Sequence, residues 1–456
     1  ISFAAPDAAH ISLYWSGNHT VLKAWASQEI ISRHSESRGN LQKITLHASP
    51  VSFFFPGASY IGTSEGPPAQ TWIDNMENFR AALMSIHRLR KSTCSDPVPR
   101  VKVALIDDGV DLLSLETHAV AEAITGMSYV PPEGRTERPW HQSTEGHGTV
   151  MANMMMRLNP WISLDVMRIH GETSSVSGGN KVRVIFADSA AEAIEDAITR
   201  EVDIISMSWT VRNVASIALG MSGGSGTDVT HRQQQQQQRQ HQGKASSYEV
   251  AVRALHRAIA RARDSNILMF CSAADDIQLL GRDSLPFCVA PNHIFRIGAS
   301  LPLGQRDPAS EDARSISYFF PGNKVAEATS WRRGRGGRTL EPVEYYNGSS
   351  VSTALAAGLA SVILHCVRVV REYRERRKTC QEEDGSMFAE WDAKLRSHES
   401  MRAAFDNINI PENEDKKFLP VWGLFGEASK QIMAAEDEDV KMSQLEKLVV
   451  ELCRKI

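Results

Sequence analysis

A chain of 456 residues is long enough for one large domain with an appendage, or for two to three ordinary domains. With 42% hydrophobic and 23% charged residues, its composition is that of a globular protein and excludes a disordered or membrane one. A formal net charge of −4 gives no bulk attraction for polyanions, which argues against nucleic acid as a partner.

Residues 1–70 show no sustained period and mix Ser, Gly, Pro and aromatics, as in Phe53-Phe54-Phe55-Pro56-Gly57. They read as an N-terminal extension or linker. No basic segment followed by a long apolar run marks a signal peptide. The six cysteines (Cys94, Cys271, Cys288, Cys366, Cys380 and Cys453) are dispersed without a CxxC pair, the pattern of thiols in a reducing compartment. The glycosylation sequons at Asn18 and Asn347 read as chance matches, and the expected location is cytoplasmic.

From Thr71 a helix is predicted: Trp72, Met76, Phe79, Leu83, Ile86 and Arg90 recur at a spacing of three to four, and Thr71 with Asp74 resembles a capping box. Short apolar runs at Val101–Ile106, Leu164–Ile169, Val202–Met207, Ile267–Ser272 and Ile294–Ile297 read as strands. Between them, Ser189 with Glu192 and Ser246 with Glu249 mark the openings of two amphipathic helices. Apolar strands alternating with helices imply a parallel sheet buried on both faces. The expected fold is therefore α/β, a doubly wound, mostly parallel sheet flanked by helices.

An insertion at 211–245 carries Gly223-Gly224-Ser225-Gly226 and the run Gln233–Gln238. Too polar to bury apolar surface, it is expected to form a disordered surface loop. The apolar stretch Val351–Val370 is interrupted by Ser352, Thr353, His365 and Arg368, so a buried helix is expected there, not a membrane span. The basic run Arg371–Lys378 reads as a solvated helix end leading into a linker. Beyond it, apolar patches at Met401–Phe405, Phe418–Phe425 and Leu445–Leu452 predict an ordered, helical tail that packs back on the core or begins another domain.

Three segments carry chemistry. The strand Val101–Ile106 runs into Asp107-Asp108-Gly109, and functional groups collect at the carboxyl ends of strands in open parallel sheets. His147 lies between Gly146 and Gly148, which leave the imidazole unshielded at the start of a helix-compatible run. Ser350, in Asn347-Gly348-Ser349-Ser350-Val351-Ser352, opens the long apolar helix beside unpaired backbone N–H groups and the positive end of the helix dipole. Each segment alone has a structural explanation: a turn, a structural histidine, an N-cap serine. The combination Asp, His, Ser in that order points to nucleophilic acyl chemistry.

In motif, order and spacing this combination resembles the subtilisin-like serine proteases, the subtilases. Val103–Asp111 is similar to the family's Asp segment, with the Asp-Asp-Gly form of the kexin branch; Gly146–Thr149 is similar to its His segment, and Gly348–Ser352 to its nucleophile segment. The resemblance covers about 100–370 and extends, more loosely, to intracellular subtilase domains of fungal multidomain proteins. It implies a subtilisin-like protease domain over 71–380, containing the 211–245 insertion, with a helical C-terminal extension over 381–456. It also implies a serine endopeptidase acting on protein or peptide substrates, with Ser350 as nucleophile, His147 as base and Asp107 fixing the imidazole tautomer. Asp108 and Asp111 fall to supporting the turn and the helix start. The stretch Asp203–Trp209 is similar to the strand that receives the substrate backbone, so Ser206, Met207, Ser208 and Trp209, with Ser272 and Ala273 opposite, are the expected substrate-binding residues. Family members often bind calcium, but no Asp-rich loop marks a site here and no cofactor is expected. Neither nucleic acid nor membrane is an expected partner, whereas regulatory domains or partner proteins fit a chain of this organisation.

The sequence departs from the family at the oxyanion hole. Aligning Leu268–Ala274 with the family's small-residue strand puts Asp275 where the family has Asn, leaving the Ser350 backbone amide as the other donor. Loss of one such donor costs about 2.7–4 kcal/mol of transition-state stabilisation, unless the acid is held neutral and donates a hydrogen bond itself. This departure motivates a second reading: a catalytically impaired subtilase that serves as a peptide-binding or signalling module in a larger protein. Ser349 for Thr and Ala354 for Pro are milder changes that remove no catalytic atom.

Overall fold

Side chains of a strand alternate between its two faces, so a sheet covered on both sides needs apolar residues at every position. Strand β3 (Val101–Asp107) meets this demand from Val103 to Ile106: Val103 and Leu105 join one buried cluster, Ala104 and Ile106 another. The computed structural model describes residues 10–15, 43–48, 69–93, 97–115, 123–132, 138–175, 181–211, 231–273, 284–301, 304–307, 315–326, 345–377, 385–408 and 417–456.

Ahead of β3 lie the parallel pair β1 (His10–Trp15) and β2 (Lys43–Ala48) and the helix α1 (Ala69–Thr93). After it come β4 (Ile124–Ser128), α2 (His147–Leu158), β5 (Ile162–Arg168), the antiparallel pair β6 (Gly171–Ser175) and β7 (Lys181–Ile185), α3 (Ala187–Thr199) and β8 (Ile204–Met207). The chain continues through α4 (His231–Asp264), β9 (Leu268–Ser272), β10 (Ile294–Ser300), β11 (Tyr318–Pro321), and the short pair β12 (Val325–Ala326) and β13 (Tyr345–Tyr346). Helices α5 (Ser349–Arg376), α6 (Gly385–Lys394), α7 (His398–Ile408), α8 (Leu424–Ala434) and α9 (Glu438–Cys453) complete it.

Seven strands form one parallel sheet in the order β11-β10-β9-β8-β3-β5-β4. This is the doubly wound architecture, and its strand order turns at β3, where a crevice opens at the carboxyl ends. One face is covered by α2 and α5, the other by α3 and α4. Strands β4 and β11 escape the sequence pattern. β4 is an edge strand with alternating exposure, and β11 has only four residues.

Both α3 and α4 end in the same device. Glu201 and Asn266 adopt φ 53°; Val202 N–H bonds the Ala197 carbonyl, Ile267 N–H the Ala262 carbonyl, and each chain turns directly into a strand. These are Schellman caps, which satisfy helix-end carbonyls that would otherwise be bare. At its other end α4 begins at His231, not at Ser246: glutamine is a good helix former, and the Gln run continues the helix in place of the expected loop. Residues 212–230 of the insertion lie outside the described residues. Helix α3 likewise starts before Ser189, whose hydroxyl donates to the Phe186 carbonyl from inside the first turn.

Helix α5 is buried from Val351 to Val370, as its composition requires. The C-terminal helices close over it and over α1. Phe405, Phe425, Leu445 and Leu452 join the same apolar cluster as Trp72 and Val362, and the Trp72 indole donates to the Leu419 carbonyl at 2.8 Å. The basic end of α5 is engaged there, where a solvated helix end was expected. Arg371 reaches Asp392 at 2.5 Å, Arg374 reaches Glu446 at 2.6 Å, and Arg377 pairs with Asp439.

Two histidines, His365 buried and His398 half-buried, make this core acid-sensitive. His365 on α5 approaches His87 on α1 with 2.9 Å between their Nε2 atoms, and stacks on Trp161. Burial, then His87 and the guanidiniums of Arg368, Arg90 and Arg100, hold its pKa well below the ordinary 6.5. His398 stacks on Phe295 and is pushed down to about 4 by burial, with Arg402 and His293 adding to the effect. Groups with depressed histidine pKa values are neutral when folded and take up protons on unfolding below 6.5. The unfolded state then binds more protons, and stability falls as pH drops. The urea midpoint is expected to decline between about pH 6.5 and 5, above the range where carboxylates dominate. His398→Phe should flatten part of that slope; equal slopes in variant and parent would refute the assignment.

Candidate active site

At the carboxyl end of β3, adjacent to the strand-order reversal, Asp107 is fully buried. Its two carboxylate oxygens each lie 2.9 Å from Nδ1 of His147, and Oδ1 also accepts the Asp108 amide at 2.8 Å. His147 is the first residue of α2 and is 29% exposed, so one ring nitrogen is fixed by a buried anion while the side chain keeps access to solvent.

Close backbone approach makes this pairing feasible. Gly109 adopts φ +100°, and a Cβ on Gly148 would lie 2.2 Å from the Gly109 carbonyl oxygen. The first turn of α2 thus rests directly on the Asp-Asp-Gly turn, which explains the glycine beside His147. Asp108 organises the same region. Its Oδ1 accepts Gly148 N–H and the Ser143 hydroxyl, and its Oδ2 accepts Glu145 N–H, all at 2.8 Å. Asp111 supports the next turn, accepting from Leu113 N–H and the Ser114 hydroxyl.

Arg168, the last residue of β5, was not singled out in the sequence. It donates to the Pro139 and Gln142 carbonyls at 2.7 and 2.9 Å and to the Thr144 hydroxyl at 2.9 Å, bracing the loop that delivers His147. Burial lowers its pKa against the opposing pull of Asp108. The available signal was a cation closing an apolar strand, next in the sheet to Asp107.

Ser350 is the second residue of α5, after Gly348 at φ 116°. Hydroxyls around it anchor the helix start: Ser349 Oγ donates to the Ala273 carbonyl at 2.6 Å, and Ser352 Oγ to the Phe320 and Pro321 carbonyls at 3.0 and 3.1 Å. Ser350 Oγ lies 3.5 Å from the Ser208 carbonyl, and Ser208 Oγ donates back to the Ser350 carbonyl at 3.3 Å. The structure therefore joins Asp107 to His147 directly and sets Ser350 against the carboxyl end of β8, the strand next to β3.

The expected substrate-binding residues line up behind this site. Ser206 and Met207 are inside the sheet, Ser208, Ser272 and Ala273 are buried, and the Trp209 indole donates to the Ile106 carbonyl at 2.9 Å. What this wall can offer a peptide is backbone. Asp275 lies outside the described residues.

A buried carboxylate on Nδ1 of a partly exposed imidazole and a serine at a helix start by the neighbouring strand thus stand at the carboxyl ends of a subtilisin-like α/β sheet. The model of the subtilase family matches residues 99–368, more than half of the chain, and the chain belongs to that family. Among solved structures it is similar to a lanthipeptide protease at 18% identity, covering 80% of this chain and 99% of that one, with a TM-score of 0.42. It is also similar to the nisin leader peptidase NisP from Lactococcus lactis (15% identity, 77% and 94% covered, TM-score 0.43). A third is the epidermin leader peptide processing protease EpiP from Staphylococcus aureus (12% identity, 80% and 82% covered, TM-score 0.45). A comparison with curated proteins found no match.

Proposed function

We propose that the chain is a serine endopeptidase in which Ser350 attacks the peptide carbonyl, His147 takes its proton and returns it to the leaving amine, and Asp107 holds the imidazole. The observation that carries this reading is the pair of 2.9 Å approaches from a fully buried carboxylate to His147 Nδ1. They fix the proton on Nδ1 and leave Nε2 as the base. The 3.5 Å bond from Ser350 Oγ to the Ser208 carbonyl is weak, and its exchange for one to Nε2 activates the nucleophile. Amides at the start of α5, that of Ser350 first, stabilise the oxyanion, and Asp275 held neutral supplies the second donor.

The test is a fluorophosphonate probe on the purified chain, beside Ser350→Ala and Asp275→Asn, across pH. Labelling of the parent that disappears in Ser350→Ala supports an activated serine. Labelling at equal rate in the alanine variant, or none from folded protein at any pH, refutes the proposal. A pH profile identical in Asp275→Asn removes the neutral-acid role alone.

A further inference from the structure

A helix leaves its first N–H groups without partners inside the helix, and a side chain at its start normally accepts from them. Helix α2 lacks such a side chain, because Gly146 stands at its cap position. Nothing local therefore fixes the turn that carries His147. The hold comes from two charged residues at the ends of neighbouring strands, Asp108 just beyond β3 and Arg168 at the end of β5.

Asp108 takes the place of the missing cap. Its Oδ1 accepts Gly148 N–H from the first turn of α2, and it also accepts the Ser143 hydroxyl, which in turn receives Gly146 N–H at 2.8 Å. The Asp108 Oδ2 and main-chain carbonyl accept the Glu145 and Thr144 amides at 2.8 and 3.3 Å. Arg168 grips the same loop through other groups. Its Nη1 bridges the Pro139 and Gln142 carbonyls and its Nη2 donates to the Thr144 hydroxyl. Residues that face one another in a parallel ladder share a face of the sheet, and Arg168 faces Asp107. The carboxylate that fixes His147 Nδ1 and the guanidinium that fixes the loop before His147 thus project side by side.

The charge of Arg168 does not itself stabilise the fold. Burial lowers its pKa; the pull of Asp108 opposes this without overcoming it, and Arg138 adds to the lowering. At Arg368 on α5 burial acts in the same direction, but the hydrogen bonds and charge of Asp203, with Asp392, outweigh it and raise the pKa. The bonds of Arg168 go instead to three neutral oxygens of one loop, which a planar guanidinium spans and a single ammonium does not. What it supplies is geometry, delivered to the residues just ahead of His147.

We propose that Arg168 is a positioning residue for His147: its guanidinium fork fixes the loop 139–146 so that the imidazole meets Asp107 and Ser350 in the productive orientation. The kinetic consequence rests on the endopeptidase reading above, whereas the effect on the His147–Asp107 pair does not. Arg168→Met, Arg168→Lys and Thr144→Val are to be compared with the parent in cleavage of a casein-derived peptide, in fluorophosphonate labelling, and in the low-field proton resonance of His147 Nδ1–H. A displacement of about 1 Å is enough for a ~100-fold loss of rate. Arg168→Met is expected to lower kcat and the labelling rate by about that factor and to broaden the resonance, with KM within ~threefold of the parent's. KM is spared because the expected substrate wall, Ser206–Trp209, lies at the end of β8 and not in the loop. Arg168→Lys keeps the charge without the fork and should stay within ~threefold of Arg168→Met. Thr144→Val, at an exposed position, removes one of the three bonds and should lower kcat by about three- to tenfold. Parent kcat and resonance in a folded Arg168→Met, a change confined to KM, or full recovery in Arg168→Lys would each overturn the proposal. Should Arg168→Met fail to fold, Thr144→Val decides, parent kcat and resonance there overturning it. A resonance that depends on Arg168 in a chain whose Ser350 is never labelled would support the positioning role and defeat the endopeptidase reading instead.

Discussion

Asp107→Asn is expected to lower kcat by about 10^4-fold with little change in KM, on the scale seen when a triad carboxylate becomes an amide. The geometry says why. Oδ1 accepts the Asp108 amide at 2.8 Å, so an asparagine keeps its carbonyl oxygen there and places its NH2 at the Oδ2 position, 2.9 Å from Nδ1. That NH2 donates to the imidazole, drives the proton to Nε2, and removes the lone pair that must accept the Ser350 proton. Because size is conserved at a buried position, circular dichroism and the urea midpoint should stay near the parent's. Steady-state cleavage of a casein-derived peptide and fluorophosphonate labelling rate are the readouts. A variant within tenfold of the parent would show that Asp107 does not set the tautomer, and the proposed mechanism would lose its carrying observation.

Arg368→Leu is expected to cost about 3–5 kcal/mol of stability, the range for breaking one partner out of a buried ion pair. Arg368 is 3% exposed and serves two carboxylates, Asp203 bidentately and Asp392 once, besides the Arg100 carbonyl at 2.9 Å. Burial by itself would depress its pKa; the hydrogen bonds and charge of Asp203, with Asp392, overcome this and leave it raised. Leucine fills part of the volume but takes the bidentate partner from Asp203, which is only 2% exposed and keeps Arg396 and the Lys102 amide. Urea unfolding monitored by tryptophan fluorescence measures the loss. A double-mutant cycle with Asp203→Ala should give a coupling above about 1 kcal/mol. Labelling of Ser350 at low denaturant should persist, separating a stability role from a catalytic one. A loss below about 1 kcal/mol would mean the network is relaxed by solvent and contributes as little as a surface pair.

The two cases differ in how visible they are along the chain. Asp107, His147 and Ser350 each end or begin a strongly apolar element and have a glycine within two residues, so local signals announce them. The Arg368 network joins positions 203, 368, 392 and 396, and nothing local at any of them specifies the others. Arg168 is hidden for the same reason, since its partners lie in a loop before α2. Strands β3, β5, β8, β9 and β10 are legible because burial on both faces demands continuous apolar runs, whereas the edge strand β4 alternates and holds Gly126. The Gln run misleads in the other direction. Its polarity argues against a core position, but helix propensity does not require one. At Trp209 the family resemblance implies a wall for substrate, and the structure adds a hydrogen bond from the indole N–H to the Ile106 carbonyl of β3.

Helix α5 is apolar and long enough to cross a bilayer by composition, with a mean hydropathy of 1.8 over its best window, yet that whole window is buried. Its cover includes α6 and α9, both of which are synthesised after it. A ribosome that has released α5 but not yet α9 presents a helix of about 42 Å, at 1.5 Å per residue, with part of its apolar surface open to water. Elongation at ~5–20 residues per second leaves that surface open for several seconds while the remaining helices emerge. Helix α5, which carries Ser350, is thus sealed only as the later helices emerge, and a nascent chain stalled near residue 400 leaves part of its apolar surface open to chaperones, membranes and aggregation.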